Sequence, residues 1–314
     1  MRRETTSELA LLLAVLLWGL NFSVVKVGVG QVQPLAYSVL RFSGGALAML
    51  AFLRWREGSL GIRRADLPLF VLTAFFGITL NQLCFVYAEA TTTAANVALL
   101  LATAPILTAF LVALSGQERL GRRQWAGVAV GMAGAALVIE GGSGGGGTGS
   151  LLGDLLAMGT AATWSAYSVL VRPLLQRYSA VRVSTYMMVI GVLFLAPISL
   201  PSLLGQDVTR IPATAWAAIA YSTVGAVLVT NILYFTAIRR VGTARANLFL
   251  YLEAFSGVLF AALLLGEAIA AAQLLGGLVV TAGVIVGRGG RRPEPAAAPV
   301  GPAEELEAPT EPLV

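Results

Sequence analysis

From Leu9 to Gly30 the chain runs 22 residues with Lys26 as its one charge, and nine comparable apolar runs follow. A helix needs about 20 such residues to cross a hydrocarbon core about 30 Å thick. Nothing in that core hydrogen-bonds a stray backbone group, so spanning segments must be helices or a closed barrel. The runs lie at about 8–30, 34–54, 67–88, 92–114, 123–140, 151–171, 182–204, 213–236, 245–265 and 270–287. Their connectors are short and carry turn residues, such as Gln33-Pro34, Gly205-Gln206-Asp207 and Gly266-Glu267. Hydrophobic residues make up 57% of the chain and charged ones 12%. A soluble domain carries roughly 25% charged residues. One soluble core cannot absorb the apolar surplus. Met1-Arg2-Arg3 imitates the start of a signal peptide. The run behind it is too long for one, lacks a cleavage site and is followed by more spans. The expectation is an all-α membrane protein with ten transmembrane helices.

Basic residues set the orientation. With the N-terminus inside, the inside connectors and tail hold eighteen arginines and the outside connectors only Arg210. The predicted location is a bacterial inner membrane, with both termini cytoplasmic.

The chain also repeats itself. Ala237–Gly283 slides back 149 residues onto Ala88–Gly134 without a gap. Glu267, Gln273, Gly276 and Gly283 then meet Glu118, Gln124, Gly127 and Gly134. The early helices match more weakly, as Glu8 with Asp154, Trp18 with Trp164 and Ser38 with Ser184. An internal repeat outranks local reading. Five helices per half make the second copy enter from the opposite side, which is an inverted repeat. The predicted units are a first repeat over 8–140, a glycine-rich external linker over 141–150, a second repeat over 151–287 and a disordered cytoplasmic tail over 288–314.

Several function classes drop out. The chain has no histidine, which removes histidine metal sites, catalytic triads and proton relays. Its single cysteine, Cys84, allows no internal disulfide. The net charge of +5 does not point to nucleic acid, because the basic residues sit at helix ends rather than on one face. The glycine-rich linker lacks the lysine and hydroxyl of a phosphate loop. No cofactor, metal site or enzyme activity is expected.

Polar groups inside the membrane carry the remaining information, because each charge there normally faces a partner or a wet cavity. Lys26 reads either as a cavity cation or as a lysine snorkelling to the outer interface. Arg41 lies about 10 Å into the second helix, counted from Pro34. It reads either as an anchor for a substrate carboxylate or as a structural partner of Glu89. Glu253 lies about 12 Å into the ninth helix. It is the candidate coupling residue, since a carboxylate held away from water is suited to carrying a proton, and its alternative is helix packing. Glu118 and Glu267 read as structural, each favouring the N-terminal dipole of the helix that follows it. Trp18 with Asn21, Trp164 with Tyr167, Asn231 with Tyr234, and Asn247 with Tyr251 recur at helical spacing. With Gln82, Tyr87 and Asn96 they form the candidate lining of a substrate cavity, and an aromatic, amide-rich lining suits a mid-sized amphipathic solute. Gly127, Gly131 and Gly134, like Gly276, Gly283 and Gly287, allow close helix contact. That contact lies within the chain or against a second copy, so a homodimer stays open.

These residues resemble the EamA family of the drug/metabolite transporter superfamily. The first half carries W-G-L-N-F from Trp18, Lys26, the proline-to-arginine run from Pro34 to Phe42, A-T-A-P at Ala102–Pro105 and Q-E-R from Gln117. The second half carries Gly153-Asp154, Trp164, V-G-T-A-R-A from Val241, Y-L-E from Tyr251 and L-L-L-G-E at Leu263–Glu267. The likeness covers residues 8–287. It implies a ten-helix inner-membrane carrier, often an exporter of amino acids, other metabolites or drugs. One departure is that Ala254 stands where the family usually has proline, so a softer kink is expected in the ninth helix than in the fourth, which keeps Pro105. The partners expected are a small-molecule substrate and the lipid bilayer. Uptake, solute exchange and a scaffold without transport stand as alternatives to export.

Overall fold

The computed structural model describes residues 2–114, 120–144, 150–241 and 243–288, without the side chains of 2–6, 143–144, 235–236, 238–241, 243–248, 250–251 and 288. Among the described residues there is no strand. The helices are α1 (Arg2–Val29), α2 (Pro34–Glu57), α3 (Leu67–Ala74), α4 (Asn81–Thr91), α5 (Ala94–Leu101), α6 (Ala104–Leu114), α7 (Arg122–Gly144), α8 (Leu151–Leu170), α9 (Arg172–Arg177), α10 (Ala180–Leu204), α11 (Ala213–Ala220), α12 (Thr230–Val241), α13 (Thr243–Leu265) and α14 (Ala271–Arg288). Among the described residues, six helical stretches are long and apolar enough to cross a membrane, and seven if the bent pair α5–α6 counts as one. Their outward faces are greasy, with Leu47, Leu193 and Leu263 each more than two-thirds exposed. Buried positions hold much of the polar inventory, including Arg41, Glu89, Asn96 and Asp154. That inside-out distribution fits a lipid surround.

Local chemistry sets the helix ends. Pro34 opens α2, where its missing N–H is no loss. Gly58 closes it at φ 69° and returns its N–H to the carbonyl of Arg54. Gly266, at φ 65°, ends α13 and turns Glu267 back towards the bundle.

The structure departs from the sequence reading in three places. Residues 92–114 form two helices bent by 41° rather than one. Pro105 supplies no N–H to the carbonyl one turn earlier, so the ladder breaks across Ala102 and Thr103. Thr103 offsets the break by donating from its hydroxyl to the carbonyl of Leu100 at 2.6 Å. Its counterpart α13 runs through Ala254 without a break. Second, wide π-helical turns stand at Phe75–Leu80 between α3 and α4 and at Tyr221–Val229 between α11 and α12. Nothing in their composition announces them. Third, the predicted linker is partly helix, since α7 continues through Gly144. Close packing overrides glycine's poor helix propensity there. A side chain on Gly141 would lie 2.8 Å from the backbone nitrogen of Gln273.

The halves interlock. α1 lies against α12 and α13, and its counterpart α8 lies against α4, α5 and α6. α2 packs along α10, and α7 packs along α14. The last pair meets backbone to backbone. A Cβ on Gly127 would sit 2.6 Å from the carbonyl oxygen of Gly283, and one on Gly276 would sit 2.7 Å from that of Gly134. The glycine stripes are therefore consumed within the chain.

Candidate functional site

The interlocked halves leave a cavity of about 570 Å³ in the middle of the bundle. Nine of the fourteen candidate substrate and coupling residues line it: Trp18, Asn21, Arg41, Gln82, Trp164, Tyr167, Asn231, Tyr234 and Glu253. Both π-helical turns reach it through Gly77, Ile78, Ser222, Ala226 and Val227, and the α5–α6 break reaches it through Ala102, Ala104 and Pro105. Irregular backbone at membrane depth is tolerated where it lines a cavity or is buried in protein. Here side chains engage it, since the Trp18 indole donates to the carbonyl of Ala226 at 2.9 Å and Ser165 donates to that of Ala104 at 2.8 Å.

Arg41 anchors one end of the cavity and is 3% exposed. Its guanidinium donates to Oε1 of Gln82 and lies 4.8 Å from the centroid of the Phe42 ring. Glu89 makes no ion pair with it within 4 Å, but the two charges attract each other, and the guanidinium's direct partners are Gln82 and the aromatic rings. Gln82 passes the connection on, donating to Asn81 at 3.2 Å. Asn81 donates to the carbonyl of Thr160 at 3.0 Å and to the Thr163 hydroxyl at 3.1 Å. This chain crosses from α2 through α4 to α8. On the other wall, Ser222 donates to Oδ1 of Asn21 at 2.7 Å and meets the Tyr37 hydroxyl at 2.8 Å. Aromatic pairs close the sides, with ring centroids 5.3 Å apart for Trp18 and Tyr234 and 5.1 Å for Trp164 and Tyr167.

Three sequence candidates stand elsewhere. Lys26 does not line the cavity. Its ammonium donates to the carbonyls of Glu89, at 2.7 Å, and of Thr92, so it caps the carboxyl end of α4. Tyr87 is 39% exposed and does not line the cavity. Asn96 is wholly buried beyond the cavity, donating to Asp154 at 2.8 Å and accepting from Gln273 at 2.7 Å. The side chains of Asn247 and Tyr251, and all of Glu118, lie outside the described residues.

Lys26 and Asn96 belong to a polar layer that shuts one end of the bundle. Glu267 completes it, accepting from the backbone nitrogens of Ala94 at 2.9 Å and Ala95 at 3.0 Å. The expectation had Glu267 serving the helix after it. It serves α5 in the other half, because the turn at Gly266 aims it there. Glu89 lies in the same layer, wholly buried, with neither carboxylate oxygen hydrogen-bonded and with the charges of Lys26, Glu267 and Arg41 around it. At the opposite end Asp66 accepts from Arg177 and, at 2.7 Å, from Tyr178. Glu57 pairs with Arg182 at 2.9 Å. These bonds join the end of α2 and the segment after it to the end of α9 and the start of α10. The cavity reaches towards this second end, to Gln124 and Gly287, and includes none of the Lys26 layer.

The sequence reading missed Asn81, Ser222 and Asp154 as working parts. Asn81 stands beside Gln82 within an apolar run, which was a signal. Ser222 had none.

A model of the EamA-like transporter family matches residues 5–140 and again residues 151–287. The chain belongs to that family. Among its relatives, a protein of Streptantibioticus cattleyicolor named "Probable terminal-alkyne amino-acid exporter" is 30% identical over 88% of this chain and 91% of its own. A "Probable amino-acid metabolite efflux pump" of Salmonella typhimurium is 27% identical over 88% of this chain and 92% of its own. An "Uncharacterized transporter" of Archaeoglobus fulgidus is 25% identical over 90% and 96%. A solved crystal structure superposes with a TM-score of 0.60 at 21% identity, covering 90% of this chain and 95% of that one, and shares the fold. This EamA-like protein is thus a multi-pass membrane transporter.

Proposed function

We propose that the chain is a secondary-active carrier of ten spans in two inverted five-helix repeats, exporting small amphipathic metabolites such as amino acids. In this reading α5–α6 is one broken span, and α3–α4 and α11–α12 are each one span with a wide turn. The termini and the arginine-rich connectors are cytoplasmic, in an inner membrane. The observation that carries the proposal is the cavity between the halves, lined from both repeats and closed at the end that would face outward. The names of two relatives as exporters or efflux pumps of amino acids or their metabolites support the direction and the solute class. Alternating access then needs the Lys26 layer to part while the Asp66 and Glu57 bonds hold.

The test is counterflow in reconstituted vesicles across a panel of amino acids and related metabolites. Saturable, solute-selective exchange is expected. Its absence across the whole panel would count against carriage.

A further inference from the structure

Glu89 is wholly buried at the closed end of the bundle, and neither of its carboxylate oxygens has a hydrogen-bond partner. Its charged neighbours are Lys26 on α1, Arg41 on α2 and Glu267 in the turn after α13. Lys26 is committed to the carbonyls of Glu89 and Thr92, and Glu267 to the backbone of α5. Of these three neighbours only Arg41 also lines the cavity, and its Nε is buried without a hydrogen-bond partner. Two cations and two anions thus form a buried group of zero net charge, and one member of it reaches the solute space.

One face of α4 joins Arg41 to Glu89. Gln82, Phe85 and Glu89 stand at i, i+3 and i+7 on that helix, so they form a stripe along it. Arg41 meets the stripe at its first two positions, donating to Gln82 and lying 5.7 Å from the centroid of the Phe85 ring. Glu89 is the next position, about 6 Å further along the helix. The rings of Tyr37 and Phe42 flank the guanidinium from α2. An anion that enters the cavity and meets Arg41 competes with Glu89 for the same cation. A buried charge that loses its counter-charge is costly. Water relieves that cost for Glu89 only where the closed end parts.

We propose that Arg41 and Glu89 form a relay through which a carboxylate in the cavity opens the end closed by the Lys26 layer, with Glu89 as a positioning residue that touches no solute. This rests on the carrier reading above. The solute draws the guanidinium's charge away from Glu89, the closed end loses stability, and the state in which Glu89 meets water gains population. A solute without a carboxylate fills the cavity and leaves the relay at rest.

The test uses Val29→Cys, one turn beyond Lys26 at a position 9% exposed, with Cys84 replaced by serine. In sealed vesicles, saturating phenylalanine should speed labelling from the side of the Lys26 layer by about fivefold or more, the lower range of coupling between two sites. Phenylalaninamide, the same solute without its carboxylate, should leave the rate unchanged. Glu89→Gln should abolish the response, slow exchange and lower the KM for phenylalanine, since Arg41 then serves the solute alone. Glu89→Asp should restore part of the response. A Glu89 that only supports packing would not lower the KM. Equal labelling with and without phenylalanine, while panel solutes exchange, overturns the relay and leaves carriage standing. Equal acceleration by phenylalaninamide also overturns the relay, since occupancy alone then opens that end. Exchange of no panel solute overturns carriage and the relay with it. Labelling of the Val29→Cys chain decides the question even where neither Glu89 variant folds.

Discussion

Lys26 is the only lysine of the chain, and its ammonium is committed to backbone carbonyls at the end of α4. Lys26→Met leaves those carbonyls without their donor and removes a cation beside the buried Glu89. A buried acceptor without a partner costs about 1–3 kcal/mol. The variant is expected to lose about that much stability in denaturant unfolding in detergent, with the KM for exchange unchanged. A raised KM at unchanged stability would return Lys26 to the cavity. This residue also marks what the sequence could and could not convey. The polar faces of α1 and α12 were legible, because Trp18 with Asn21 and Asn231 with Tyr234 repeat at the helical period. The partner of Lys26 was not, since a carbonyl group has no letter in the sequence. Asn96 was legible as a buried amide, but its partner Asp154 stands 58 residues away, and only the packing of α5 on α8 joins them.

At the scale of elements, the α7–α14 seam is the least forgiving contact. Ordinarily a neighbour's side chain shifts to admit a methyl group, but here the neighbour is backbone. A Cβ on Gly283 would lie 2.8 Å from the carbonyl oxygen of Gly127. Overpacking costs about 1–3 kcal/mol where the surroundings can adjust. Gly283→Val should therefore reach or exceed the top of that range, seen as a lowered melting temperature and reduced yield of folded protein in detergent. Gly30→Ala serves as the control, because a Cβ there comes no closer than 3.4 Å to anything. The repeat in the sequence pointed to these glycines, and their mutual register required the fold. The π-helical turns are the opposite case. Arg41 and Ser222 act on the cavity from positions that those turns and α2 set, and no local residue preference marks such a turn in advance.

For the whole molecule, the balance lies between two tied ends. Glu267 holds the N-terminus of α5 from across the halves, while Asp66 and Glu57 tie the basic loops. Glu267→Ala frees two backbone N–H groups at the Lys26 end and weakens that closure alone. A ligand or mutation shifts a two-state equilibrium by its differential effect on the states. In sealed vesicles, a cysteine introduced at Asn21 should be labelled from the arginine-rich side in the parent and from both sides once Glu267→Ala is added. The native Cys84, half-buried on α4, is replaced by serine in both. Labelling from one side only in both proteins would show that Glu267 does not hold that end shut.

If the two repeats were identical and inverted, exchanging their conformations would turn one facing state into the other at equal free energy. Pro105 in α6 and Ala254 in the unbroken α13 remove that degeneracy. In the carrier proposed above, the two facing states then differ in energy before any solute or gradient acts. A carrier built this way has a preferred resting side, and its forward and return half-cycles cross different barriers.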